Sequence, residues 1–312
     1  QNFLITGADS NACVDPNSPW ADATDPTRED FVSRSDTIMV MRVDPVTRAA
    51  AVLSFPRDLW VDIPGKGKNR INSAYVQNDY SLLAQTIYNN FGIIIDHYIQ
   101  VDFCAFKGIV DALGGVAVPF TTAIIDRNVG LYIAPPAGQT GTYCHTFSGD
   151  EALAYVRSRH LEWIDEQGTT HADPAADLGR ISRQQDFLRR TLGQAVKAGM
   201  FDPSVARALL ESLQTEIVTE QGFTLDDMLS VVGVLKDVDP VDIQQYQIEA
   251  TATLVSGNFV LAPQTDSPNM QAVLAIFSGT APLSGSSDQP IATTAPSSNT
   301  AVTALAEPQQ VI

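Results

Sequence analysis

The chain has 312 residues, 44% of them hydrophobic, and a formal net charge of −17. This length is enough to bury a sizeable core in one large domain or two smaller ones. The acidic balance argues against nonspecific nucleic-acid binding, which needs a basic face, so no nucleic-acid partner is expected. No apolar run approaches the roughly 20 residues of a membrane helix.

The first third of the chain has the pattern of β-strands. Apolar, β-branched runs predict strands at 3–7, 37–43, 49–55 and 59–63, with the second and third paired as a hairpin. Residues 8–35 are predicted to form a long polar loop, and loops of that length are often functional. Because the first strand begins so early, we expect an N-terminal segment, such as an anchor or a signal, to precede this sequence.

Helical and strand patterns alternate over the rest of the chain, while residues 120–148 and 161–176 are predicted to be irregular. Predicted helices span 79–91, 103–113, 178–198, 204–216, 224–236 and 269–277, with one more opened by the capping pattern Ser148 to Glu151; predicted strands span 93–101, 116–118, 243–249 and 253–261. This mixture predicts an α/β sandwich with one central sheet. A domain at 1–278 is predicted to precede a disordered tail or linker at 279–312, which lacks Lys and Arg.

Arginine is concentrated in one part of this acidic chain. The sequence has 14 Arg and 5 Lys, and six of the arginines lie between Arg157 and Arg190. Arg suits an anion site because its planar guanidinium binds phosphate or carboxylate oxygens two at a time. The pattern therefore predicts a local anion site, with a solvated helix face of ordinary salt bridges as the alternative.

Polar residues stand at the ends of three predicted strands: Asp9, then Arg34 and Asp36, then Arg57 and Asp58. If the strands are neighbours, these ends converge at a sheet edge, where α/β sites form. Carboxylates beside several arginines fit a divalent cation and a phosphate, because Mg²⁺ prefers one or two carboxylates plus phosphate oxygens. Taken singly, each has a structural alternative: a turn residue, a cap, or a surface pair worth less than about 1 kcal/mol.

Two helices are expected to bring further side chains to this edge. Arg180 and Gln184 are four residues apart, so they share one helix face. Arg157 and Arg159 are two apart and would diverge on a continuous helix. They point the same way only if the helix ends near Val156 or if the segment is extended.

The three cysteines have no metal-binding spacing, and the four scattered His give no zinc pattern. Cys104 and Cys144 form a disulfide if the compartment is oxidising, or remain two buried free thiols. Cys13 is left over in either case.

Seven segments, in this order, resemble the LytR-CpsA-Psr (LCP) family of Gram-positive envelope proteins over roughly residues 2–200. They are Leu4-Ile-Thr-Gly-Ala-Asp9-Ser10, Arg34-Ser-Asp36-Thr37, Leu53-Ser-Phe-Pro-Arg57-Asp58, Arg70-Ile-Asn72-Ser-Ala-Tyr75, Val110-Asp111-Ala-Leu-Gly-Gly-Val116, Glu151-Ala-Leu-Ala-Tyr-Val-Arg157-Ser-Arg159-His160 and Asp177-Leu-Gly-Arg180-Ile-Ser-Arg183-Gln184-Gln185.

The resemblance implies a phosphotransferase on the extracytoplasmic face of the cell membrane, anchored there by the missing N-terminal segment. Such enzymes move an anionic glycopolymer from a polyprenyl-diphosphate carrier onto peptidoglycan. The resemblance also implies a three-layer α/β/α sandwich with a central mixed sheet and a hydrophobic lipid groove, which we expect the helices within 79–113 to line. This extracytoplasmic setting favours the Cys104–Cys144 disulfide.

The resemblance also implies roles for individual residues. Asp9 and Asp36 are expected to bind Mg²⁺ or Mn²⁺. Arg57 is expected to be catalytic, and Asp58 or Asp36 to help deprotonate the attacking muramyl hydroxyl. The expected diphosphate-binding residues, with Arg180 in a supporting role, are Arg34, Arg57, Arg157, Arg159, Arg180 and Gln184.

The chain departs from the family pattern at three places. A long acidic insertion follows Asn11 where many members have Arg, Arg70 stands where members often have Lys, and the loop between Arg159 and Asp177 is long and acidic. The first and third departures could alter access of the acceptor. A polyprenyl-pyrophosphate hydrolase and a non-catalytic lipid- or polymer-binding module are the alternative functions, and the intact Asp and Arg set favours the two enzymes.

Overall fold

The computed structural model describes residues 1–8, 35, 37–174, 176–199, 202–212, 217–236 and 238–283. The strands are β1 Asn2–Ala8, β2 Ile38–Asp44, β3 Ala49–Ser54, β4 Trp60–Ile63, β5 Gly67–Arg70, β6 His97–Asp102, β7 Val116–Phe120, β8 Ala123–Asp126, β9 Leu131–Ile133, β10 Tyr143–Phe147, β11 Glu162–Ile164, β12 Thr170–Ala172, β13 Ile217–Thr219, β14 Gln244–Gln247, β15 Ala250–Val255 and β16 Asn258–Pro263. The helices are α1 Ser81–Phe91, α2 Phe103–Ala112, α3 Gly149–Arg157, α4 Ala176–Lys197, α5 Pro203–Ser212, α6 Leu225–Leu235 and α7 Pro268–Phe277.

A mixed sheet of six strands forms the centre of the fold, in the order β13–β6–β1–β2–β3–β14. Strand β2 is antiparallel to both β1 and β3, whereas β6 runs parallel to β1 and β14 runs parallel to β3. Successive side chains point to opposite faces of a strand, so each inner strand supplies both sides of the core. Leu4, Val40 and Leu53 face one side, and Phe3, Met39 and Val52 face the other.

Helices cover both faces of this sheet. On one face α1 and α7 pack with Leu83, Ile87 and Met270 in the core. On the other face α4 and α6 pack with side chains such as Leu192 and Val234. The predicted three-layer α/β/α sandwich with a central mixed sheet is confirmed.

A second core lies beside the sheet, where α2 and α3 pack against the antiparallel pair β7–β10. Phe147 of β10 contacts Tyr155 of α3, with ring centroids 4.8 Å apart, and Phe187 of α4 at 6.2 Å. Gly115 permits this packing, because a Cβ there would lie 2.8 Å from the Phe147 carbonyl oxygen. The cluster fixes α3 and α4 relative to each other.

Two segments predicted to be irregular contain strands instead. Residues 120–148 include β8, β9 and β10, and residues 161–176 include the hairpin β11–β12. Strands β12, β11, β8 and β9 form a four-stranded antiparallel sheet. Most of these strands have three or four residues, which is too short for alternation to stand out in the sequence.

The strand predicted at 253–261 is also wrong, because the chain reverses in its middle. Ser256 and Gly257 have φ of 49° and 80° and form the turn between β15 and β16. Two central residues with positive φ are typical of the tight turns that connect hairpins. The helix predicted at 204–216 is described over Pro203–Ser212, and residues 213–216 lie outside the described residues.

The described residues include 279–283, beyond the boundary predicted at residue 278, and Leu283 is buried in the core that contains α7. The remainder of the predicted tail, 284–312, lies outside the described residues. Within the described ranges, no helix is long and apolar enough to cross a membrane.

Candidate active site

The ends of the central strands meet at one edge of the sheet. Met39, near the start of β2, lies opposite Ser54, the last residue of β3. The Gly7 N–H of β1 donates to the Thr37 carbonyl oxygen at 3.1 Å. The end of β1, the start of β2 and the end of β3 therefore converge, as the sequence predicted for neighbouring strands.

Three of the predicted site residues, Asp9, Arg34 and Asp36, lie outside the described residues. Asp9 follows Ala8 in the sequence and Asp36 precedes Thr37, so both carboxylates are joined by the chain to this edge. Within the described ranges, no group of three or more His, Cys, Asp or Glu could hold a metal ion. Carboxylates together with arginines have the donor chemistry that Mg²⁺ with a diphosphate requires, so the assignment of Asp9 and Asp36 to a metal ion stays a prediction.

Asp58 lies between two arginines just after β3. Its Oδ2 accepts a hydrogen bond from Arg57 Nε at 3.3 Å, and its Oδ1 is 3.1 Å from Arg70 Nε. All three side chains are partly exposed, so the pairs are worth little in stability. Because each carboxylate oxygen contacts a guanidinium, the geometry fits a role for Asp58 in orienting Arg57 better than a role as proton acceptor.

The segment after Arg57 is held by the segment that begins at Arg70. The Asn72 N–H donates to the Arg57 carbonyl oxygen at 3.3 Å, and the Ile71 N–H donates to the Leu59 carbonyl oxygen at 2.8 Å. Two of the seven recognised sequence segments are thus one structural unit.

Arg157 is the last residue of α3. The predicted capping box is present at the start of this helix, where Ser148 and Glu151 bond each other's backbone N–H groups. The helix ends at Arg157 because Ser158 has ψ of 127°, outside the helical range. For Arg157 and Arg159 to point the same way, the sequence analysis required the helix to end near Val156. Helix α3 does end there.

The Arg157 side chain reaches the sheet edge. Its Cζ lies 4.4 Å from the ring centroid of Phe103, the first residue of α2 after the edge strand β6. A guanidinium over an aromatic face is attracted by the ring quadrupole, and more strongly when it is partly desolvated. The contact places a positive charge beside the ends of β1 and β6.

The turn at Ser158 is clamped from two sides. Asp126 of β8 is 1% exposed, and its Oδ2 accepts from Ser158 Oγ at 2.6 Å and from the His160 N–H at 3.0 Å. On the other side, Arg183 of α4 donates from Nη2 to the Ser158 carbonyl oxygen at 2.5 Å and from Nη1 to Asp173 at 2.9 Å. The clamp fixes the backbone between Arg157 and Arg159.

Helix α4 brings the remaining predicted side chains to the edge. Gln184 Nε2 donates to Thr37 Oγ1 and to the Val156 carbonyl oxygen, both at 3.1 Å, and so joins β2 to the end of α3. Arg180, one helical turn earlier, is only 2% exposed. Burying a charged guanidinium costs free energy unless it is paired. Arg180 is therefore a buried part of the fold and not a residue of a solvated helix face.

A buried polar network lies beneath the edge. The Tyr75 hydroxyl donates to Gln100 Oε1 at 2.8 Å, and the Tyr98 hydroxyl donates to the same oxygen at 3.1 Å. Tyr98 also bonds Thr6 Oγ1 at 2.9 Å, and burial raises the pKa of its phenol well above the usual value. The network connects the Arg70–Tyr75 segment to β1 and β6.

The predicted Cys104–Cys144 disulfide is wrong. Cys144 is an exposed free thiol, whereas Cys104 is disulfide-bonded. Tyr143 and Phe147 of β10 point into the core that also contains Val110 of α2. Cys144 lies on the opposite face of β10. Since Cys104 is on α2, the two thiols lie on different sides of β10. Cys13 lies outside the described residues.

Sequence reasoning missed two supporting residues, Asp126 at the Ser158 turn and Gln100 in the buried network. It placed Arg183 on the side of Arg180 but assigned it no contact with the Ser158 turn. The available signals were a charged residue at the end of an apolar run for Asp126 and a second Arg three residues after Arg180 for Arg183.

The comparison with protein families matches the LytR_cpsA_psr family model to residues 1–275. The regulatory protein MsrR of Staphylococcus aureus is 35% identical over 158 residues, which cover 50% of this chain and 42% of MsrR. The polyisoprenyl-teichoic acid–peptidoglycan teichoic acid transferase TagU of Halalkalibacterium halodurans is 28% identical over 262 residues, covering 83% of this chain and 78% of TagU.

Among solved structures, the LytR-Csp2A-Psr enzyme from Actinomyces oris has the same fold. The TM-score is 0.65 at 21% sequence identity, and the match covers 89% of each chain. The chain spans less than half of the length of MsrR.

Proposed function

The chain belongs to the LytR-CpsA-Psr family, and from this premise we propose that it is an extracytoplasmic phosphotransferase. It moves an anionic glycopolymer from a polyprenyl-diphosphate carrier onto peptidoglycan. The similarity to TagU, a polyisoprenyl-teichoic acid–peptidoglycan teichoic acid transferase, supports this class of donor and acceptor. The disulfide at Cys104 supports a location outside the cytoplasm, because disulfides persist in oxidising compartments.

The observation that carries the proposal is the convergence of cationic and amide side chains at the sheet edge. Arg57 follows β3, Arg157 packs on Phe103 after β6, and Gln184 bonds Thr37 before β2. A diphosphate placed at this edge meets guanidinium groups from separate elements. Such an arrangement binds phosphate oxygens and stabilises the charge that develops during phosphoryl transfer.

In the proposed reaction, an oxygen of a muramyl hydroxyl attacks the phosphorus on the sugar side of the diphosphate. The bond from that phosphorus to the bridging oxygen breaks, and polyprenyl phosphate leaves with the electron pair. Arg57, Arg157 and Arg159 hold the phosphate oxygens in line for attack. The hydroxyl proton passes to a carboxylate, for which Asp36 is favoured because both oxygens of Asp58 contact arginines.

Asp9 and Asp36 are the residues proposed to hold Mg²⁺, or Mn²⁺ in its place. A divalent ion held by these carboxylates would neutralise negative charge on the diphosphate. Arg180 supports this cluster from the interior of α4. Its burial keeps its positive charge in a region of low dielectric, where the attraction to phosphate is stronger than in water.

A path for the polyprenyl chain is proposed between the sheet and α4 with α6. Apolar side chains there, including Ile5, Ile99, Leu188 and Leu192, are only partly buried. Helix α6 has no fully buried residue, although seven of its eleven residues are hydrophobic. The helices at 79–113 are less suited to line a groove, because the apolar residues of α1, such as Ile87, are enclosed in the core.

The test is transfer from a short polyprenyl-diphosphate-linked glycan to an uncross-linked glycan strand, with and without Mg²⁺. We expect Mg²⁺-dependent transfer that falls about 10²–10³-fold in Arg57→Ala, as when one transition-state donor is removed from an active site. Arg48→Ala is the matched control, since Arg48 lies in the exposed β2–β3 turn at the opposite end of the same sheet.

Each other result has a definite meaning. Unchanged turnover in Arg57→Ala would refute the assignment of the site. Mg²⁺-dependent cleavage with water and no transfer to glycan would make the protein a polyprenyl-pyrophosphate hydrolase. Tight binding of the lipid diphosphate without any cleavage would make it a binding module of the envelope.

A further inference from the structure

The hairpin β11–β12 rises from the same turn that carries the arginines. Its first residues follow Ser158, and the His160 N–H is held by Asp126. Its base is closed by the Asp173 N–H, which donates to the Leu161 carbonyl oxygen at 2.8 Å. Asp173 also accepts from Arg183, the residue that holds the Ser158 carbonyl oxygen. The hairpin and the arginine cluster thus share one anchor.

Trp163 is an exposed aromatic residue fixed on this hairpin. It lies opposite His171 in the register, and the two rings are stacked with centroids 4.1 Å apart and an interplanar angle of 18°. His171 Nε2 bonds Asp165 Oδ2 at 2.8 Å, and Asp165 also accepts the Thr169 N–H at 2.7 Å. These contacts orient the indole ring in advance, while 39% of Trp163 stays exposed.

We propose that the Trp163–His171 pair is a subsite for a neutral N-acetylated sugar ring of the acceptor glycan strand, which rests on the proposed function. A pyranose ring has an apolar C–H face that packs on an indole, and its polar edge is left for hydrogen bonds. Trp is suited to such a surface because it offers a large apolar ring with a polar N–H. A ring already held in place loses little conformational entropy on binding.

The charge around Trp163 selects the acceptor rather than the donor. Asp165 and Glu166 lie in the loop of the same hairpin and repel an anionic glycopolymer, whereas Glu162 is paired with Arg127. Carboxylates also accept hydrogen bonds from sugar hydroxyl and amide groups. The surface therefore complements an uncharged sugar.

The location also fits the acceptor. Trp163 is four residues from Arg159, a reach of roughly 14 Å of extended chain. A glycan strand that presents one hydroxyl at the arginine cluster can therefore place a nearby sugar of the same strand on Trp163. The subsite would give affinity without contacting the reacting atoms.

The experiment measures binding and turnover separately. Calorimetry with a β-1,4-linked N-acetylglucosamine oligomer is carried out on wild type, Trp163→Ala and Trp163→Phe, with poly(glycerol phosphate) as the anionic comparison. We expect Trp163→Ala to weaken oligomer binding about ten-fold, which corresponds to about 1.4 kcal/mol, and Trp163→Phe to retain most of it. In the transfer assay the KM for the acceptor should rise in Trp163→Ala, while donor cleavage with water is unchanged.

Tyr132→Ala is the matched control. Tyr132 is 56% exposed and lies on the same small sheet, but alternation places it on the opposite face from Trp163. Equal losses in both variants, unchanged oligomer binding in Trp163→Ala with native circular dichroism, or a preference for the anionic polymer would each overturn the proposal. Binding of the oligomer needs no donor. An absence of transferase activity in wild type would therefore refute the proposed function, but it would differ from each of these three results.

Discussion

Replacing Asp126 by Ala tests whether the buried clamp on the Ser158 turn positions the arginines. The carboxylate is 1% exposed and accepts hydrogen bonds from Ser158 Oγ, the His160 N–H and, through Oδ1, the Asn128 N–H. A hydrogen bond to a charged group contributes roughly 1.5–3 kcal/mol, and buried donors left without an acceptor add to the loss. We expect the variant to lose about 3–5 kcal/mol of stability.

The same substitution should reduce activity beyond its effect on stability. With the turn released, Arg157 and Arg159 no longer hold a fixed geometry, and a displacement of about 1 Å can cost on the order of 10²-fold in rate. Urea unfolding gives the stability, and steady-state transfer at a temperature where the variant is folded gives kcat/KM. A double-mutant cycle between Asp126→Asn and Ser158→Ala should show a coupling of about 0.5–3 kcal/mol.

Asp44→Ala is the control for this prediction. Asp44 accepts the Val46 and Thr47 N–H groups, but in an exposed turn at the other end of β2. Water replaces those bonds, so the variant should lose less than about 1 kcal/mol and keep its activity. The reasoning is refuted if Asp126→Ala behaves like Asp44→Ala, or if the double-mutant cycle shows no coupling.

Four further substitutions test other parts of the structure. Gln184→Ala removes the amide that joins β2 to the end of α3, and kcat/KM in the transfer assay should fall about ten-fold with little change in the unfolding midpoint. Tyr75→Phe leaves the Gln100 amide with one fewer buried partner, and urea unfolding should show a loss of about 1–2 kcal/mol. Cys144→Ser should be neutral in thermal unfolding, whereas Cys104→Ser should cost about 2–4 kcal/mol, and equal effects would contradict the disulfide assignment.

The sequence predicted the strand ends that build the site because their signals are local. Arg57 and Asp58 interrupt an apolar run at the point where β3 stops, and the capping box before α3 is readable from Ser148 and Glu151. The spacing of Arg180 and Gln184 likewise identified one face of α4. In each case, neighbours in the chain determine where the side chain points.

The supporting contacts could not be predicted because they join distant parts of the chain. Asp126 bonds Ser158 across 32 residues, from a strand of only four. The error at 253–261 was of a different kind: Ser256-Gly257 is a turn signal, but the apolar residues on both sides gave a stronger strand pattern. The cysteine pairing was wrong because β10, which determines where Cys144 points, was not predicted.

The charge distribution gives the two proposed substrates separate surfaces. The chain carries a net charge of −17, so its long-range field opposes the approach of an anionic donor. Within about 8 Å at physiological salt, however, individual charges dominate, so under the proposed function a diphosphate is attracted by the arginines at the edge, including Arg157 stacked on Phe103. The acidic surface elsewhere, including the hairpin around Trp163, does not retain the polymer and stays accessible to a neutral sugar. Under the proposed function, the protein therefore holds its donor by the diphosphate and the polyprenyl chain rather than by the polymer, and it can release the polymer once the diphosphate has been cleaved.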